Sequence, residues 1–154
     1  MKISISTLVD QDFLSVKNEF NAQLLKRLSP PFPKVTIKRF DGISTSDKVS
    51  MELDFLFFKQ MWDGDIIDHL QTDEEFYFID IGTKLPFFLK SWQHKHRLIK
   101  HGDRTVIVDE IDYKSTNKLM TLIFYPVMIG QFLYRKPIYK KYFSKKSLRI
   151  LPQM

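Results

Sequence analysis

The segment from Trp92 to Lys114 constrains the fold most, because it reads as one β-hairpin with a polar group on its apolar face. Gly102-Asp103 has the glycine-first composition of a two-residue hairpin turn. Folding the chain about it opposes Leu98 to Ile107, His96 to Asp109, His94 to Ile111 and Trp92 to Tyr113. Side chains alternate along a strand, so all of these share one face. The other face receives Lys95 opposite Glu110, Gln93 opposite Asp112 and Arg97 opposite Val108. His94, His96 and Asp109 are the anomaly on the apolar side. Three polar groups there point to a lined cavity more than to a solid core, since a dry interior penalises them.

Length and composition set the bounds. A chain of 154 residues is about one domain, expected over 1–154 with a basic C-terminal tail at about 144–154. There is no cysteine, which excludes disulfides, thiolate metal sites and thiol redox chemistry. No run of eighteen apolar residues occurs, which argues against a spanning helix. The opening MKISISTLVDQDF lacks the unbroken apolar stretch and small-residue cleavage site of a secretory signal, so a cytoplasmic protein is expected. Aromatic residues are abundant, with 14 Phe, 6 Tyr and 2 Trp, which suits a dense core or an aromatic-lined pocket. The net charge of +6 is localised. Arg135, Lys136, Lys140, Lys141, Lys145, Lys146 and Arg149 fall in a stretch without acids. Setting these seven aside from the 24 basic residues leaves 17 against 18 acids, so the body is nearly neutral.

The periodicity predicts a short first strand over Lys2 to Leu8 and a short helix from near Gln11, capped by Asp10. A second helix is expected from about Asn18 to Leu28, ended by Ser29-Pro30-Pro31. Val35 to Phe40 and Lys48 to Phe58 read as strands, the latter with Val49, Met51, Leu53, Phe55 and Phe57 on one face. Lys59 to Leu70 and Glu75 to Ile81 follow, then the hairpin, giving about seven strands joined by short turns and hence an antiparallel meander. Ser115, Thr116 or Asn117 caps a long final helix, with Leu119, Leu122, Ile123, Val127 and Gly130 as its expected buried stripe. Pro126 and Pro137 are expected to kink or interrupt it.

Several local patterns resemble one known branch of proteins. Leu25-Lys26-Arg27-Leu28-Ser29-Pro30-Pro31 resembles the leucine, serine/threonine, proline, proline end of the second helix in a bacterial branch of the SRPBCC superfamily, the START-like and birch-pollen-allergen-like proteins. Pro86 to Arg97 resembles that branch's P-F-x-x-W-x-H-x-H-x-F strand, and Val108 to Tyr113 its T-D-x-V-x-Y strand. Phe132-Leu133-Tyr134-Arg135 resembles the F-A-Y-R segment of its last helix. The resemblance spans about Gln23 to Phe143; the N-terminal strand departs most, lacking the proline-containing start of the first helix. It implies an α+β helix-grip fold, a curved antiparallel sheet wrapped around a long C-terminal helix with two short helices after the first strand. It also implies a hydrophobic cavity between sheet and helix. Members bind lipids, sterols or polyketides, and a few are cyclases or hydratases.

Four chemistries can be weighed on these residues. His96 with Asp109 has the composition of a general base and its supporting carboxylate, as a polyketide cyclase or hydratase would use. The plainer reading, a satisfied polar pair that orders the sheet or orients a ligand, is preferred. His94 and His96 share a strand face, and Asp109 could complete a metal triad, but adjacent strands would have to converge closely, so no metal and no cofactor is expected. A ligand pocket is expected to be walled by Met51, Leu53, Phe55, Phe57, Phe76, Phe78, Trp92 and Tyr113, with His94, His96, Asp109, Tyr134 and Arg135 meeting the ligand's polar end. Asp80 joins this group if Phe76 and Phe78 face inward, and leaves it if Tyr77, Ile79 and Ile81 do. The basic C-terminal segment is not expected to bind nucleic acid, whose motifs are absent. Transient contact with an anionic membrane stays open, with Tyr139, Tyr142 and Phe143 as interfacial anchors. The expected function is therefore the binding, without transformation, of a small hydrophobic or amphipathic ligand by a monomer or homodimer.

Overall fold

The computed structural model describes residues 1–145. Its elements run β1 (Lys2–Val9), α1 (Phe13–Asn18), α2 (Ala22–Leu28), β2 (Lys34–Phe40), β3 (Lys48–Asp54), β4 (Lys59–Gln71), β5 (Glu75–Lys84), β6 (Leu89–His101), β7 (Arg104–Ser115) and α3 (Lys118–Tyr142). The seven strands form one antiparallel sheet in the order β1-β7-β6-β5-β4-β3-β2. The first strand thus pairs with the last, and the two helices that follow it carry the chain across to the far edge. This is the helix-grip architecture, with α3 held against the sheet.

The hairpin has the register its sequence predicts, with Leu98 opposite Ile107, His96 opposite Asp109 and His94 opposite Ile111. Gly102 takes φ 65°, a left-handed conformation that costs glycine little. Leu98 and Ile107 on the inner face are fully buried. On the outer face Arg97 donates to Glu75 at 2.5 Å and to Glu110 at 3.0 Å.

Four local expectations are corrected. Asp12, not Asp10, caps α1, its carboxylate accepting from Ser15 N at 3.0 Å, because β1 stays paired through Val9. The second helix starts at Ala22 rather than near Asn18, since Asn21 caps it by accepting from Leu24 N at 3.0 Å. β3 ends at Asp54, not Phe58. There the Asp54 carboxylate accepts from Leu56 N at 2.9 Å, Leu56 has φ 76°, and the chain turns so that Phe57 is 95% exposed. In α3 most of the expected stripe faces outward: Leu119, Leu122 and Ile123 are more than half exposed and Gly130 is exposed, Val127 is half exposed at the cavity border, and Met128, Phe132 and Tyr139 are buried. Its first three turns are apolar on every side, so periodicity alone does not choose a face. Pro126 and Pro137 both lie inside α3 without ending it.

Two buried clusters hold the ends of the grip. One joins Val16 and Leu24 of α1 and α2 to Phe76, Leu98 and Ile107 of the sheet and to Tyr139 and Phe143 at the end of α3. The other joins Ile3 and Ile5 of β1 to Trp92, Ile111 and Tyr113 and to Met128 and Phe132. Fully burying a side chain of this size contributes about 1.5–3 kcal/mol. Tyr139 and Phe143, read as membrane anchors, are wholly buried instead, and Tyr142 donates its hydroxyl to Glu19 at 3.0 Å. Beyond Lys145 the basic tail lies outside the described residues. No helix among the described residues is long and apolar enough to cross a membrane.

Candidate functional site: a cavity with a histidine–carboxylate wall

Between sheet and α3 lies a half-open cavity of about 460 Å³. Its walls come from α2, β2–β6 and α3, and from the β3–β4 and β5–β6 turns. Met51, Leu53, Phe55, Phe78 and Trp92 line it. So do His94, His96 and Arg135. Asp80 faces the cavity too, because Phe76 and Phe78 turn inward on β5 and Asp80 follows the same alternation. The remaining expected residues lie elsewhere. Phe57 sits exposed at the β3–β4 turn. Phe76 is packed in the core cluster beneath the cavity floor. Tyr113 is fully buried behind β6 and donates its hydroxyl to Thr121 O at 2.8 Å. Tyr134 is on the outer side of α3, 43% exposed. Asp109 is 1% exposed, behind the two histidines rather than on the cavity surface.

Among the lining residues that the sequence pattern passed over are Trp62, Phe124 and Tyr139. Trp62 pairs with Met51 across β3 and β4, and its ring meets Trp92 edge-on at 4.9 Å. Its place on one strand face with Gly64 and Ile66 carried that signal. Phe124 and Tyr139 line the cavity from α3, on the face the periodicity did not select.

The polar wall is tightly knit and diagonal. Asp109 stands opposite His96 in the ladder, yet its Oδ1 is 2.9 Å from His94 Nε2 and 3.6 Å from His96 Nδ1. His96 Nε2 instead reaches Asp80 Oδ2 at 3.1 Å, and His94 Nδ1 lies 3.8 Å from the same oxygen. The expected His96–Asp109 hydrogen bond is therefore not made; each histidine bonds one step along. Trp92 Nε1 donates to Asp80 Oδ1 at 3.2 Å. The two imidazoles lie with centroids 3.5 Å apart, and Phe78 stacks on His96 at 4.2 Å. Two buried polar atoms here make no hydrogen bond: His96 Nδ1 and the Tyr139 hydroxyl. Arg135 rests its guanidinium over the Phe132 ring at 4.5 Å.

Burial dominates the electrostatics. It pushes His94 down to about 4, assisted by the neighbouring His96 and opposed by Asp109 and Asp80, so His94 is neutral at pH 7. Burial pushes both carboxyls up, but the hydrogen bonds from His96 and Trp92 to Asp80, and from His94 to Asp109, hold them below their ordinary values. A neutral His94 that donates from Nε2 to Asp109 leaves its Nδ1 lone pair facing Asp80. Burial, with Asp109 nearby and against the opposing Arg135, raises the Tyr139 phenol well above its usual range.

An antiparallel sheet closed on a long helix, with the cavity between them, is the helix-grip fold of the START-like and birch-pollen-allergen-like proteins. Solved structures of that fold superpose along nearly the whole chain. Truncated norcoclaurine synthase from Thalictrum flavum matches with a TM-score of 0.66 at 15% identity, covering 100% of this chain and 95% of that one. A hypothetical protein of Helicobacter pylori matches with a TM-score of 0.70 at 12% identity, covering 93% and 88%. A Mycobacterium smegmatis protein matches with a TM-score of 0.68 at 13% identity, covering 94% and 91%. No family model and no curated protein sequence matches the chain. The likeness is thus one of fold.

Proposed function

We propose that this protein binds and carries a small hydrophobic or amphipathic molecule of lipid, sterol or polyketide type in the cavity between the sheet and α3. The observation that carries this reading is the pairing of an apolar chamber with a polar patch on one wall. The volume of about 460 Å³ falls within the roughly 300–1,000 Å³ of small-molecule sites. It is about three times the roughly 150 Å³ cavity that admits one benzene, which suits two or three fused rings or a medium acyl chain. Met51, Leu53, Phe55 and Phe78 would take the apolar body. Arg135 supports a ligand with an anionic or carbonyl end, because among the described residues no carboxylate oxygen lies within 4 Å of it to neutralise it. Chains of this fold include a synthase solved with dopamine and hydroxybenzaldehyde, compact aromatics of comparable scale. A single domain working in the cytoplasm fits this role.

Native mass spectrometry of freshly purified protein, joined to a Nile red titration, tests it. Both tryptophans, Trp62 and Trp92, line the cavity, so dye entry is expected to quench intrinsic fluorescence with one-to-one stoichiometry. Absence of both a co-purifying apolar mass and saturable dye binding would overturn the reading.

A further inference from the structure

We infer that Asp80, His94 and His96 form a binding site for a divalent transition-metal ion on the cavity wall, with Asp109 as the carboxylate that orients both histidines. The inference goes beyond ligand carriage and stands whether or not the cavity holds an apolar guest.

Geometry carries the argument. One ligating atom from each of the three residues lies within 4.8 Å of the others. Asp80 Oδ2 is 3.1 Å from His96 Nε2 and 3.8 Å from His94 Nδ1. A tetrahedral ion with bonds of about 2.0–2.2 Å sets its ligand atoms about 3.4 Å apart, between those two values. All three residues face the cavity, so a fourth position opens toward whatever occupies it.

Hydrogen bonding supports the same assignment. Metal-bound histidines hand their second ring nitrogen to a carboxylate. Asp109 Oδ1 lies 2.9 Å from His94 Nε2 and 3.6 Å from His96 Nδ1, behind both rings and away from the cavity. Without an ion, His96 Nδ1 is a buried atom with no partner, and the His94 Nδ1 lone pair points at a carboxylate. With an ion, His96 coordinates through Nε2 and moves its proton to Nδ1, where Asp109 accepts it. His94 coordinates through Nδ1 and keeps its Nε2–H on Asp109. Both mismatches disappear with no net change in protons. Two imidazoles and one carboxylate favour zinc, iron or a similar first-row ion over magnesium or calcium, which prefer all-oxygen shells. The ion would offer its open position to an oxygen of the cavity ligand.

Calorimetric titration of chelator-stripped protein with Zn²⁺ tests the site. One ion per chain is expected, with a dissociation constant on the order of 1 μM or tighter. Asp80→Asn, which keeps the side-chain shape, should weaken binding on the order of 100-fold, and Asp109→Asn about 10- to 100-fold. His69→Ala, which removes an exposed histidine outside the cavity lining that accepts from Thr45 N at 2.9 Å, should leave it unchanged. Co²⁺ supplies a second readout with the metal ligands unchanged. It should quench Trp92, which bonds Asp80, in a Trp62→Phe background. The inference is overturned if stripped protein binds no Zn²⁺ tighter than about 100 μM, if folded Asp80→Asn binds as tightly as the parent, or if Co²⁺ leaves Trp92 unquenched. Nile red binding read on the same samples separates the two readings: dye binding without Zn²⁺ binding rejects the metal site alone, and Zn²⁺ binding without dye binding rejects the carrier alone.

Discussion

Asp109 faces His96 across the β6–β7 ladder but bonds His94, Oδ1 to Nε2 at 2.9 Å. The bond runs along the diagonal of the antiparallel pair, where long side chains still reach. It leaves His94 fixed as a donor at Nε2 and pulls a carboxylate beneath the cavity wall. Removing the carboxylate strands a buried N–H. Asp109→Ala should therefore cost about 2–3 kcal/mol of stability, and Asp109→Asn, which retains an acceptor, less than half of that. Urea unfolding of metal-free protein measures both; a loss for Asp109→Ala below about 0.5 kcal/mol would contradict the assignment.

The metal-free protein should also lose stability in mild acid. His94 is held near 4 in the folded state, below its ordinary value of 6.5. Between those values the unfolded chain binds the proton and the folded chain does not, so stability falls as pH drops from about 6.5 toward 4. By pH 5 the loss is about 2 kcal/mol. Asp80 and Asp109, held below their ordinary values, add a further loss as pH falls through the carboxylate range. The groups acting on His94 are Asp80 from β5, His96 from β6 and Asp109 from β7, and Arg135 from α3 acts on Asp109. Urea midpoints at pH 7.5, 6 and 5 in the presence of chelator read the slope, and His94→Gln should flatten its upper part.

Empty space and filled core respond oppositely to a larger side chain. Met51 borders the cavity, so Met51→Trp has room to grow. Its stability should stay within about 1 kcal/mol of the parent, whereas overpacking a filled core costs about 1–3 kcal/mol. Nile red affinity should fall at least tenfold. A strongly destabilised variant with unchanged dye binding would place the space elsewhere.

Tyr113 separates wall from core. Its buried hydroxyl bonds Thr121 O at 2.8 Å and does not reach the cavity. Tyr113→Phe should cost about 1 kcal/mol and leave dye binding unchanged.

The strand count, the hairpin register and the inward set of β6 were legible because period-two alternation fixes a face once the turn is placed, whereas alternation carried no sign that β1 pairs with β7. Where alternation ended, so did legibility. Phe57 continues the apolar pattern of β3, but a turn capped by Asp54, three residues earlier, carries it outside. The choice of α3 face was hidden by a helix start that is apolar all round; the sheet's shape selects Met128 and Phe132 over Leu122 and Ile123. The partner exchange in the polar cluster was hidden for a different reason. Register names the residue opposite, while rotamers decide which neighbour a ring nitrogen meets. Hence His94, His96 and Asp109 were found from sequence, and the part played by Asp80 needed coordinates.

Because β1 is hydrogen-bonded only to β7 in the sheet, with Ile3 against Ile111 and Val9 against Thr105, its nearest partner lies 96 residues further along the chain. Until that pairing forms, the apolar side chains of Ile3, Ile5 and Val9 lack the neighbours that bury them. Closing so long a loop is slow relative to local pairing. Before that long loop closes, the strand that completes the grip is an unpaired edge open to pairing with another chain.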